Sequence, residues 1–125
     1  MTSATVQRLR LLPTEFVVEH LPGARSAPDD RWFALIRAPE GLTVIREHTA
    51  EGTGDELWTG FYGDSAHALD LPGMLVALVG PLAAAAVPVF VASTYHADVV
   101  LVPSPRKEEA ISVLQRAGHE VGGPV

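Results

Sequence analysis

One long apolar run most constrains how this chain can fold. Residues 69–94, LDLPGMLVALVGPLAAAAVPVFVAST, contain a single charged side chain. A membrane-spanning helix requires about 20 apolar residues whose backbone polar groups are all paired within the segment. Pro72, Pro81 and Pro88 lack an N–H group, and the residue before Pro88 is restricted to extended geometry. The run therefore predicts a helix followed by a strand in a protein core, and no membrane span.

Composition indicates a small soluble protein in the cytoplasm. At 125 residues the chain is long enough to bury one core unaided. It contains no Cys, which excludes disulfides, thiolate metal sites and thiol nucleophiles. A formal net charge of −6 without a Lys/Arg cluster argues against nucleic-acid binding, because that binding depends on cationic contacts. The apolar patch after Arg8 and Arg10 is too short for a secretory signal.

The first part of the chain predicts four short strands and little else. Apolar segments punctuated by Pro and Gly indicate strands over residues 6–13, 15–22, 32–37 and 42–47, with a tight turn at 38–41. The acidic, Gly-containing segment TAEGTGDE that follows is the expected seam between two halves. We place this boundary near Asp55, which divides the chain into residues 1–55 and 56–125.

The second part predicts the element order βαββαβ. Strands are expected over residues 57–64, 88–94, 98–103 and 119–121, and helices over 72–86 and from Pro105 to Ala117. Ser104 is the expected N-cap of the second helix, and Gly118 follows its end. Its apolar stripe consists of Ala110, Ile111, Leu114 and Ala117. This order predicts an α+β fold in which both helices cover one face of a sheet.

Short motifs at matched spacing extend over residues 57–125. They are Trp58, Asp70, Gly73, Pro81-Leu82, Ser93-Thr94-Tyr95, Asp98, Leu101-Val102 and the closing helix with Gly118. On these residues the chain resembles the ACT domain, as found in small bacterial tandem-ACT proteins and in CASTOR-type arginine sensors. The resemblance implies a ferredoxin-like βαββαβ ACT domain over 56–125. The hairpin RWFALIRAPEGLTVI resembles one in a degenerate ACT half, which implies a mostly β, ACT-like unit over 1–55.

The resemblance also implies a regulatory module that binds an amino acid or a similar effector where two such units meet, and hence a homodimer. The binding positions carried over are Ala68, Asp70, Leu71, Gly73 and Met74 in the strand-to-helix loop, and Ser93, Thr94, Tyr95 and Asp98 in the later segment. No cofactor is implied.

The residue chemistry at these positions admits two interpretations. A helix beginning at Gly73 would present free N–H groups to a ligand carboxylate, although Gly73 would equally suit close packing of helix on strand. Asp70 and Asp98 would hold an ammonium group, or would instead cap the helix and fix the turn. Tyr95 would act as a lid or as a cross-strand aromatic residue.

Catalytic patterns are absent from the sequence. His96 and Asp98 would need a third ligand to hold a metal ion, and no His-rich spacing provides one. The chain has no G-x-S-x-G elbow, phosphate-binding loop or dinucleotide fingerprint. We therefore expect a metal-free, non-enzymatic binding protein. The alternative is a ligand-free module for oligomerisation or protein interaction, which would use an open sheet edge.

Overall fold

The computed structural model describes residues 6–49, 56–63 and 73–123, and all structural statements below refer to these ranges. Eight strands and two α-helices are formed there. The strands are β1 (Arg8–Leu11), β2 (Phe16–Pro22), β3 (Trp32–Ala38), β4 (Gly41–Glu47), β5 (Trp58–Gly63), β6 (Phe90–Ser93), β7 (Asp98–Pro103) and β8 (Glu120–Gly122). The helices are α1 (Met74–Ala84) and α2 (Lys107–Arg116), and a short 3₁₀ helix, Ser104–Arg106, leads into α2. The α+β fold and the βαββαβ order are confirmed.

The apolar run is divided as its prolines predict, into α1 and β6. The helix ends at Ala84, two residues before the predicted end, because Ala86 adopts a left-handed conformation with a φ of 60°. The N–H of Ala86 donates to the Ala83 carbonyl, and the N–H of Val87 donates to the Leu82 carbonyl. This pattern is a Schellman cap with Ala in the position that usually holds Gly. Within the described residues, no helix combines the length and apolar character needed to span a membrane.

The central strand of the sheet is β5, which has neighbours on both sides. Strand β7 pairs with one edge, and β6 pairs with β7. On the other edge, β1 pairs with residues 61–63 and β2 pairs at Trp58. Strand β8 then pairs in parallel with β1, and β4 and β3 follow β2.

The position of β1 departs from a simple βαββαβ sheet, in which the last strand lies beside the first. Here β1 lies between β5 and β8, so the order on this side is β6-β7-β5-β1-β8. Leu9 is paired with Gly63 on one side and with Val121 on the other. The sheet therefore runs across the boundary that the sequence predicts at residue 55.

Apolar side chains are buried on both faces of the sheet, and β7 contributes to both. Val100 and Val102 face the helices, in a cluster to which α1 contributes Leu78 and Leu82. Val99 and Leu101 face the opposite side, where they pack with side chains of β2 and β4. Both helices thus cover one face, as expected, and the first half of the chain folds over the other.

The buried face of α2 differs in part from the predicted stripe. Ala110 and Leu114 are buried as predicted, but Ala117 is exposed. Val113, which was not predicted, is also buried.

An imidazole compensates for the proline inside α1. Pro81 has no N–H to donate to the carbonyl of Ala77, four residues earlier. The Nε2 atom of His119 lies 2.8 Å from that carbonyl oxygen. The other ring nitrogen, Nδ1, accepts the backbone N–H of Gln7 at 3.0 Å, so the ring proton resides on Nε2, which donates to Ala77. His119 therefore ties α1 to the chain entering β1.

The prediction that Ser104 caps α2 is wrong. The helix begins at Lys107, and its N-cap residue, Arg106, makes no side-chain capping bond. The hydroxyl of Ser104 instead lies 2.8 Å from the hydroxyl of Thr59 on β5. The local capping rule predicts a bond from Ser104 to the helix terminus, but its side chain bonds instead to a residue that is distant in the sequence.

Candidate ligand-binding site

The first part of the predicted site is the beginning of α1. Gly73 has a φ of 86°, a backbone conformation that favours glycine. Since Gly73 has no side chain, it makes no capping bond to the first-turn N–H groups, which also lack acceptors within the helix. These groups, including that of Met74, give the helix terminus a positive potential. The predicted positions Ala68, Asp70 and Leu71 lie outside the described residues.

The second part is the turn between β6 and β7. Ser93 and Asp98 are opposite each other in the register of the two strands. The Ser93 hydroxyl donates to Oδ1 of Asp98 at 2.7 Å. Asp98 is 7% exposed, so its carboxylate is largely buried, and the bond from Ser93 holds it in place. A carboxylate so placed is suited to a directed, charge-assisted hydrogen bond.

Thr94 makes several of the hydrogen bonds that close this turn. The N–H of Thr94 donates to the Ala97 carbonyl at 2.7 Å. Its hydroxyl oxygen accepts the N–H of Ala97 at 3.0 Å. The same hydroxyl donates back to the Ala97 carbonyl at 3.1 Å. The Thr94 side chain is thus engaged within the turn.

Tyr95 occupies the tip of the turn and is 70% exposed. It lies outside both strands, so it is not a cross-strand aromatic residue. Its ring meets that of His96 edge to face, with centroids 5.0 Å apart. The phenol is therefore exposed beside the turn that leads to Asp98.

Gln7 joins the two parts of the site. Its side chain, on a residue that is 2% exposed, donates from Nε2 to the Met74 carbonyl at 2.7 Å. On the other side is Gly63, the last residue of β5. A Cβ atom on Gly63 would lie 3.6 Å from Oε1 of Gln7 and 3.6 Å from the carbonyl oxygen of Asp98. The beginning of α1 and the beginning of β7 therefore lie at the same end of β5, with the Gln7 amide between them.

Sequence reasoning missed both Gln7 and His119. Gln7 is separated by 67 residues from the carbonyl it contacts and by 112 residues from His119. Neither residue stands in a recognisable local motif, so only the position of β1 brings them into the site. In the described part of the chain, no three His, Asp or Glu side chains are placed to hold a metal ion.

Opposite charges thus lie at one end of the sheet. The first turn of α1 offers backbone N–H donors, and Asp98 offers a carboxylate. The combination suits a small ligand that carries both an acidic and a basic group.

The sequence model of the ACT domain matches residues 54–116. The chain belongs to the ACT domain family. ACT domains commonly bind small-molecule ligands in regulation, and they often dimerise. No curated protein shows significant sequence similarity to this ACT protein.

Two solved structures resemble this ACT protein over most of its length. The crystal structure of protein Atu0741 from Agobacterium tumefaciens is 22% identical, with a TM-score of 0.81, and the alignment covers 98% of this chain and 96% of that one. A protein of unknown function from Vibrio cholerae, VC0802, described as a possible transport protein, is 23% identical, with a TM-score of 0.71 and 85% of each chain covered. At these identities the similarity concerns the fold, and the first match includes the four strands that precede the ACT match.

Proposed function

We propose that this ACT protein binds a free amino acid, or a closely related zwitterionic metabolite, and does not convert it chemically. The observation that carries the proposal is the placement of the α1 N-terminus and Asp98 at one end of β5, joined through Gln7. The ligand carboxylate would accept N–H groups at the beginning of α1, and its ammonium group would donate to Asp98. The resemblance to amino-acid sensors, noted on sequence grounds, supports the same ligand class.

The site is connected to the rest of the protein in a way that suits regulation. Met74 lies in the first turn of α1, and its carbonyl accepts from Gln7, the residue that leads into β1. A ligand that shifts the first turn of α1 would act on this bond directly. We infer that occupancy is transmitted through Gln7 to β1 and from there to the first half of the sheet.

A second candidate function is a ligand-free oligomerisation module. Val76 is 62% exposed on α1, a helix without a charged residue. An apolar helix surface of this kind favours protein contact, although isolated exposed apolar side chains are ordinary. Light scattering would detect the oligomer, and a strict monomer would count against this function.

A thermal-shift screen of the twenty free amino acids tests the primary proposal. A ligand at 100 times its dissociation constant stabilises the folded state by about 2.7 kcal/mol. For a domain of this size, that gain raises the melting temperature by roughly 10 °C. We expect one amino acid, or a small group of similar ones, to produce such a shift.

The Asp98→Asn variant locates the site, because it removes the charge and keeps the shape. We expect the shift to fall to a small fraction of its original size. The matched control is Glu120→Gln, which neutralises an exposed carboxylate on β8 and should leave the shift unchanged. If no amino acid stabilises the protein, the ligand-free alternative is favoured. If Asp98→Asn retains the full shift, the position of the site is wrong.

A further inference from the structure

A cavity of about 540 Å³ lies in the first half of the chain. Its wall includes Val17 and Glu19 of β2, Asp30 and Trp32 at the entry to β3, and Arg46 and His48 at the end of β4. None of these residues belongs to the α1 terminus or to the β6–β7 turn. The volume lies within the range of roughly 300–1,000 Å³ that is typical of small-molecule sites.

A β-bulge gives this cavity an accessible indole. The register of β3 and β4 shifts between Trp32, which opposes Arg46, and Ala34, which opposes Ile45. The extra residue, Phe33, packs against the ring of Phe16 with centroids 4.9 Å apart. Trp32 is left 41% exposed at the register position of Arg46. Bulges commonly redirect a side chain, and here Trp32 lies in the wall of the cavity.

The carboxylates that line the cavity outnumber its cations, with Glu19, Asp30 and Glu47 set against Arg31 and Arg46. Arg31 already faces another carboxylate, since its Nη2 atom lies 3.9 Å from Oδ2 of Asp29. The side chain of Arg46 is 19% exposed, and its Nε atom lies 3.0 Å from Oε1 of Glu19. Its Nη1 atom lies 3.1 Å from Oδ1 of Asp29. Hydrogen bonds to Asp29 and Glu19 raise the pKa of Arg46, whose charge is therefore permanent and already compensated. Within the described ranges, Asp30 has no cationic partner within 4.0 Å, so its carboxylate is available.

His48 contributes a polar atom that lacks a partner. Its backbone N–H donates to the Glu15 carbonyl at 2.8 Å, which fixes the residue just beyond β4. The ring atom Nδ1 is buried and has no hydrogen-bond partner among the described residues. A buried polar atom without a partner is costly, and a donor on a bound ligand would remove that cost.

We propose that this cavity binds a small organic cation that carries a primary ammonium group. The ammonium group lies against the indole of Trp32 and donates to the carboxylate of Asp30 and to Nδ1 of His48. Indole rings attract cations through the negative potential of their faces, and charge-assisted hydrogen bonds orient the ligand. The apolar part of the ligand would contact Val17. This site is independent of the proposed amino-acid site, with which it shares no residue.

Intrinsic fluorescence provides a direct measurement. The chain has two Trp residues, and the Trp58→Phe variant leaves Trp32 as the only fluorescent indole. The probes are n-butylammonium, 1-butanol and butyrate, which share one alkyl chain and differ in charge. We expect n-butylammonium to change Trp32 fluorescence saturably at millimolar concentration. We expect 1-butanol to bind at least about tenfold more weakly and butyrate to have no saturable effect.

Two charge variants, each made in the Trp58→Phe protein, complete the experiment. Asp30→Asn should weaken n-butylammonium binding by about tenfold, because one charge-assisted hydrogen bond is lost. Asp30 is exposed, so the variant should melt at the same temperature as its parent. Asp98→Asn should leave n-butylammonium binding unchanged, which separates this proposal from the amino-acid site.

Three results with the probes alone would overturn the proposal. These are equal binding of 1-butanol and n-butylammonium, preferential binding of butyrate, and the absence of any saturable change with the cation. Loss of binding in Asp98→Asn with full binding in Asp30→Asn would also overturn it, since that pattern assigns the cation to the other site.

Discussion

His119 donates a hydrogen bond to the Ala77 carbonyl, which Pro81 leaves without a helical N–H donor. The contribution of this bond to stability can be measured. In the His119→Ala variant the Ala77 carbonyl loses its imidazole donor and the Gln7 N–H loses its acceptor. A buried polar group left without a partner costs about 1–3 kcal/mol. The imidazole is also part of a residue that is only 5% exposed, so its removal leaves a void. We expect His119→Ala to lower the free energy of unfolding by about 3–5 kcal/mol.

A double-mutant cycle with Pro81→Ala isolates the bond to Ala77. Alanine at position 81 restores a helical N–H donor to that carbonyl, so the loss of His119 should then cost about 1–2 kcal/mol less. Urea unfolding followed by circular dichroism gives the four free energies. His20→Ala, at an exposed position, should change stability by less than about 0.5 kcal/mol. Equal costs of His119→Ala in the two backgrounds would refute the compensation.

Three further predictions concern other parts of the fold. Ala86→Gly should raise the free energy of unfolding by about 0.5–1 kcal/mol, because Gly adopts the observed φ of 60° without strain; a lower melting temperature would contradict this. Hydrogen bonding to Arg106 lowers the pKa of Glu109, so the pair stabilises the fold above the ordinary carboxyl pKa and loses this effect as pH falls through the lowered value. An NMR titration of Arg106→Gln should show that pKa rising, and an unchanged midpoint would exclude the pair as its cause. Deletion of residues 1–12 removes β1 and should abolish cooperative thermal unfolding; a retained sharp transition would show that the sheet closes without it.

The elements of the fold were predictable because their signals are local. Pro88 separates α1 from β6, and Gly118 ends the region of α2, both as the sequence indicates. The hairpin of β3 and β4 was also placed within a residue or two. By contrast, the pairing of Leu9 with Val121 joins segments more than a hundred residues apart, and no local pattern encodes it. Ser104 is a second example, because it bonds to the hydroxyl of Thr59 on β5 and does not cap α2 as its local sequence predicts.

The candidate site was predictable only in part. Gly73 and Asp98 followed from the family resemblance, and the structure places them at one end of the sheet. Gln7 did not follow, because its importance depends on where β1 inserts. The cavity beside Trp32 could not be predicted from the sequence either. Its wall combines three separate segments and depends on a bulge that shifts the register by one residue.

Strand β1 (Arg8–Leu11) belongs to the sheet of the ACT domain but lies outside the residues that match the family. The family match begins at residue 54, yet β8 reaches the rest of the sheet through residues 8–10. A domain that folds independently contains all the strands of its sheet. The sheet of this domain also includes a strand from an earlier part of the chain, because β1 pairs with both β5 and β8. Transplanting residues 54–125 into another protein would therefore leave an open seam beside β5. Duplication or shuffling of this unit during evolution would have to carry β1 along.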